Sequence, residues 1–128
     1  MNKLKREELA TELSSWWSIK ASDEIDMVVG KATEYGGDGA AIDLLDIGYA
    51  LALAMGRQVD DEEATELGIY FYMVGKMARW KAAVTEGRRV SDDTILDIGV
   101  YCRMAQRNRE VGGWPFGPKP STAEIVKK

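Results

Sequence analysis

Apolar residues recur along this chain at helical spacing, and the two-residue alternation of a half-buried strand is missing. Leu9, Leu13, Trp16 and Trp17 stand at i, i+4, i+7 and i+8 and predict a helix over Leu4–Ser18. Ser22 reads as the N-cap of a second helix reaching Tyr35, with Ile25, Val28, Val29 and Ala32 on one face. Gly36, Gly37 and Gly39 break that pattern. A third helix is predicted over Ala40–Met55, ended by Gly56. A fourth starts at Asp60, where Asp60 and Glu63 have the spacing of a capping box, and stops near Gly87. Leu67, Phe71, Val74 and Ala78 read as its buried stripe. A fifth runs from Ser91 to about Arg109. The expected class is all-α: a compact bundle of about five helices, two helical hairpins plus an N-terminal helix.

All three prolines, Pro115, Pro118 and Pro120, fall at the C-terminal end. Residues 112–128 therefore read as a Pro/Gly-rich tail after an all-α domain over residues 1–111. Within the tail, Trp114 and Phe116 are expected to pack on the body or on a neighbouring chain. Gly48, Gly68, Gly75 and Gly99 lie inside helices, where each costs up to ~1 kcal/mol against Ala. Close helix crossings would explain them. The run Tyr70-Phe71-Tyr72, with Trp80, makes the fourth helix apolar on more than one side. Such a helix is central in its bundle or lies at an oligomer interface, so a homo-oligomer, dimer or higher, is expected.

Composition removes several function classes. The net charge of −4 gives no bulk attraction to nucleic acid or anionic membrane, so stable nucleic-acid binding is not expected. No apolar run approaches the ~18 residues that span a bilayer. The N-terminal Met-Asn-Lys-Leu-Lys-Arg-Glu-Glu leads into mixed charge and not into a signal-peptide segment. A single cysteine, Cys102, fits a reducing cytoplasm. The absence of histidine excludes Ser–His and Cys–His nucleophilic chemistry and His-ligated zinc. Any catalysis falls to carboxylates, Lys, Arg, Tyr or a metal.

The tetrapeptide Leu-Asp-Ile-Gly occurs twice, at Leu45–Gly48 and Leu96–Gly99. The repeat reads as an internal duplication or as chance within Ala/Leu-rich helices. Each copy has a second acid upstream, Asp43 before Asp46 and Asp93 before Asp97. Spacings of three or four residues put both acids of a pair on one helix face, about 5–6 Å apart between Cβ atoms. That geometry suits a divalent cation held by oxygen ligands. Counting back from the turn between the fourth and fifth helices sets Asp97 beside about Arg79–Trp80. Lys76 and Arg79 share one face there. Two acids and two bases can thus converge on one groove: carboxylates for Mg²⁺, Lys and Arg for phosphate oxygens. The plain alternative is an interhelical salt-bridge set with acids favoured in a first turn. In Glu62-Glu63-Ala64-Thr65-Glu66 even Glu66 lies about 15 Å from Lys76 along the helix, and the run reads as capping and helix-dipole chemistry. The glycine loop before the third helix is either an anion site at a helix start or an ordinary turn.

From Lys31 to Arg107 the order of features is Lys31-x-x-x-Tyr35-Gly36, a helix, an acidic helix start, Lys76-Met77-Ala78-Arg79, then Asp93-x-x-x-Asp97-Ile-Gly-x-Tyr101. This resembles short phage-encoded domains of the MazG-like, all-α nucleotide pyrophosphohydrolase superfamily, including those associated with nucleotide modification. The resemblance covers about 60% of the chain. Asp93-x-x-x-Asp97 stands where the superfamily carries Glu-x-x-Asp. The resemblance implies a helical, oligomeric, Mg²⁺-dependent enzyme of the host cytoplasm that converts (deoxy)nucleoside triphosphates to monophosphate and pyrophosphate. It implies Asp93 and Asp97 as catalytic and metal-binding; Asp43 and Asp46, paired on one helix face, are read from their spacing as further metal ligands. Lys76, Arg79 and Tyr35 would hold the substrate phosphates. The alternative function is a non-catalytic oligomeric helical protein that binds a phage or host partner through Trp16, Trp17 and the Trp114–Phe116 segment.

Overall fold

Helix signals dominate the computed structural model as they do the sequence. It describes residues 2–35 and 42–117, with the side chains of 31–35 and 42 outside that description. Among the described residues four α-helices are present in place of about five: α1 Lys3–Tyr35, α2 Ile42–Ala54, α3 Asp61–Thr85 and α4 Asp92–Val111. Among the described residues no helix is long and apolar enough to cross a membrane.

The chain divides into two units, Met1–Tyr35 and Gly36–Lys128. The first is α1, a single helix of 33 residues where two were expected. Ser18-Ile19-Lys20-Ala21-Ser22 contains no Gly or Pro. Adding a residue to an existing helix costs far less than nucleating a new one, so the helix propagates through Ser22. Trp16 and Trp17 meet edge to face at 5.8 Å between ring centroids, and the Lys20 ammonium lies 5.8 Å from the Trp16 ring. Both indoles are more than half exposed.

The second unit holds α2, α3 and α4. Leu44 meets Gly68, Gly48 meets Ala64, and Tyr49 meets Asp61, so α2 and α3 are antiparallel. Lys76 meets Asp97, Tyr72 meets Tyr101, and Glu66 meets Arg109, so α3 and α4 are antiparallel too. The central helix α3 is therefore common to both pairs. Its start is fixed by Asp60, whose carboxylate accepts the Glu63 N–H at 2.9 Å. The Glu63 side chain does not return the bond as a capping box would; it pairs with Arg57 instead. At α4, Ser91 Oγ accepts the Thr94 N–H at 3.3 Å. Gly112, at φ 79°, ends α4 in the left-handed conformation that glycine adopts without strain.

A close backbone approach locks α2 to α3. A Cβ at Gly48 would lie 1.6 Å from the Ala64 carbonyl oxygen, and one at Gly68 would lie 2.1 Å from that of Leu44. The two missing side chains are what let the helices touch. Beside this seam sits a core of Leu44, Ile69 and Met104, flanked by Tyr72, Val100, Tyr101, Ala105 and Trp114. The buried face of α3 is thus Ala64, Thr65, Gly68, Ile69 and Ala83. The expected stripe faces the other way: Phe71 is 49% and Val74 45% exposed. Both faces of α3 carry apolar residues, and the one with Ala64 and Gly68 admits a neighbouring backbone. Gly75 and Gly99 are not crossings, since an added Cβ would meet no atom within 4 Å.

The segment after α4 folds back. Trp114 packs on the core, Pro115 is buried, and Arg107 Nε donates to the Pro115 carbonyl at 2.7 Å. Phe116 remains 62% exposed. Asn108 braces α4 on α3: fully buried, it donates through Nδ2 to the Glu62 carbonyl at 2.8 Å, while its Oδ1 has no hydrogen-bond partner among the described residues.

Candidate functional site

Lys76 and Arg79 lie one turn apart on α3, and the antiparallel register brings α4 acids toward them. Asp97 Oδ2 lies 2.9 Å from Lys76 Nζ, with both side chains about three-quarters covered. The register is about one turn offset from the expected one, which set Asp97 beside Arg79–Trp80. One turn further along, the Tyr72 and Tyr101 rings stack at 6.0 Å with planes 3° apart. The Tyr72 hydroxyl then donates to Asp43 Oδ2 of α2 at 3.3 Å. Asp43, Tyr72, Lys76, Asp97 and Tyr101 thus form one band across the three helices.

The electrostatics follow from that geometry. Burial pushes the Tyr101 hydroxyl above the ordinary tyrosine range, and the charge of Asp97, then Tyr72 and Asp43, push the same way. The Arg79 guanidinium opposes them, which places its charge within reach of the band. Tyr72 is raised for the same reasons, by burial first and then by Asp43. Both tyrosines are therefore neutral hydrogen-bond donors at neutral pH.

Other expected site residues are arranged differently. Asp93 and Asp46 are exposed on α4 and α2, with no side-chain hydrogen bond or ion pair to a described residue. Tyr35 closes α1, and its side chain lies outside the described residues. Among the described residues, no group of three or more Asp, Glu, Cys or His could hold a metal ion. Asp43 and Asp97 are the two carboxylates that act on the tyrosine pair.

The acids at the start of α3 are occupied by structure. Glu66 receives Arg109 through two bonds, one of them Nη2 to Oε2 at 3.0 Å. That fork holds the Glu66 carboxyl below the usual carboxylate range. Glu63 pairs with Arg57, and Asp61 accepts from the Tyr49 hydroxyl. These contacts hold α3 to its neighbours and leave the Glu62–Glu66 run outside the Lys76 band.

Sequence reasoning missed the tyrosine pair. Tyr72 stands four residues before Lys76, and Tyr101 four after Asp97, so each shares a helix face with its charged neighbour. Once Lys76 and Asp97 are paired in an antiparallel register, the two tyrosines must meet. That spacing was the available signal.

Comparisons with protein-family models, with curated proteins and with solved structures give no match to this chain.

Proposed function

We propose that this chain is a MazG-like nucleotide-binding protein acting as a Mg²⁺-dependent (deoxy)nucleoside triphosphate pyrophosphohydrolase. The observation that carries the reading is the Lys76–Asp97 pair, set within the Asp43–Tyr72–Tyr101 band beside Arg79. Lys76 and Arg79 supply two cations on one helix face for phosphate oxygens. With a phosphate on Lys76, Asp97 and Asp43 would be the carboxylates to hold the cation, which would neutralise charge on the phosphate oxygens. Mg²⁺ in nucleotide sites is held by one or two carboxylates together with substrate phosphates, and this pair supplies that number. In the reaction, water attacks the α-phosphorus, the α–β anhydride bond breaks, and pyrophosphate leaves. A carboxylate of the band, or Asp93 one turn before Asp97, accepts the water proton.

The test is pyrophosphate release from the common dNTPs and NTPs with Mg²⁺ or Mn²⁺, alongside the melting temperature with each nucleotide. Wild type should turn over at least one of them and melt higher in its presence. Asp97→Asn should abolish release while keeping the helical spectrum. Wild-type protein that shows neither turnover nor a thermal shift would sink the reading.

A second reading has its own observation. Trp16 and Trp17, 54% and 58% exposed on α1, and Phe116 suit a protein surface better than water. In that reading the chain is a non-catalytic helical interaction protein, and the Lys76–Asp97 band is a structural ion pair.

A further inference from the structure

The face of α3 turned away from α2 and α4 is apolar along most of its length. Leu67, Tyr70, Phe71, Val74, Met77 and Val84 follow each other at helical spacing over about 25 Å. Five of the six are exposed, from 45% at Val74 to 67% at Val84. A shallow groove of ≈ 350 Å³ continues the stripe at Met77, Trp80 and Val84. Together they present roughly 600 Å² of largely apolar surface, close to the about 800 Å² that each partner gives a standard interface. A monomer leaves so large a contiguous patch in water only at a cost.

Charge along the same helix selects the occupant. Asp60, Asp61, Glu62, Glu63 and Glu66 crowd its start, while Lys81 stands beside the groove at the other end of the stripe and Arg88 and Arg89 follow in the turn. Two copies laid antiparallel across this face bring the acidic start of each helix beside the basic end of the other. Laid parallel, they would align like charges. We infer that α3 pairs with α3 of a second copy of this chain, antiparallel about a two-fold axis near Val74. The axis sets Phe71 against Met77 of the partner subunit, a thioether–aromatic contact, and the self-complementary patch closes as a dimer. Val74 is about 200° around the helix from Tyr72, so the Lys76 band stays open. The pairing stands whether or not nucleotides bind.

Sedimentation of the full chain at micromolar concentration should show a dimer. Val74→Glu should halve the mass and leave the helical circular dichroism unchanged. A monomeric wild type overturns the inference, as does a Val74→Glu variant that stays dimeric. If Val74→Glu does not fold, cysteine cross-linking decides. In a Cys102→Ser background, Val74→Cys should give a covalent dimer with a short bismaleimide, and Leu53→Cys, 82% exposed on α2, should not. No cross-link at Val74→Cys, or equal yield at both positions, would mean that another surface makes the contact.

Discussion

Asp43 touches the rest of the site through one hydrogen bond, yet its charge acts on both tyrosines of the band. The raised folded pKa of Tyr72 and Tyr101 has a definite consequence. Their neutral forms stabilise the fold below the unfolded tyrosine value of about 10, and that contribution is lost as pH rises through the folded value. Removing the Asp43 charge should shrink the shift without abolishing it, because burial comes first among its causes. Asp43→Asn is therefore expected to move the last-titrating tyrosines toward the ordinary range, as read by tyrosinate absorbance in an alkaline titration. Asn keeps an acceptor for the Tyr72 hydroxyl, so the change isolates charge. An unaltered titration curve would show that Asp43 does not face the pair.

Helices α2 and α3 are held by two glycines whose absent side chains admit a neighbouring carbonyl. Gly68→Ala would put a Cβ 2.1 Å from the Leu44 oxygen, and relief requires moving a backbone. The expected cost is about 2–3 kcal/mol in urea unfolding. Gly99→Ala meets open space in α4 and should gain up to ~1 kcal/mol from helix propensity alone. Opposite signs for two identical substitutions is the outcome that supports the seam; equal effects would refute it. The contrast also bears on the repeated Leu-Asp-Ile-Gly. Gly48 is buried in the seam and Gly99 is exposed, while Asp46 is exposed and Asp97 pairs with Lys76. The two copies occupy different environments, so the shared tetrapeptide does not give them a shared role.

Across the second unit, the segment after α4 acts as part of the core. Trp114 covers Leu44, Ile69 and Met104, and the Arg107–Pro115 bond holds it in place. Trp114→Ala should cost about 2–3 kcal/mol, below the range for a fully buried tryptophan because the ring is partly exposed. Phe116→Ala, two residues on and 62% exposed, should stay within about 0.5 kcal/mol. Thermal unfolding of the two variants checks the contrast. A small effect at Trp114 would mean that this segment is an appendage, as its glycines and prolines suggest.

Local chemistry alone determined the all-α class, the Asp60 and Ser91 helix starts, and the stops near Gly56 and Gly87. Each depends on residues within one or two turns. The approach of Asp97 to the Lys76–Arg79 face was legible to within one turn for a similar reason, because a short turn forces the next helix to run back beside the last. The fusion of the first two predicted helices is local as well, since no residue between Ser18 and Ser22 stops propagation. Tertiary structure chose which face of α3 is buried. Periodicity fixes where side chains stand relative to one another on a helix, but not which way the helix is turned toward its neighbours. That rotation was set where Gly48 and Gly68 let two backbones touch. The same rotation brought Tyr72 to Asp43, 29 residues away, and left Phe71 and Val74 facing out.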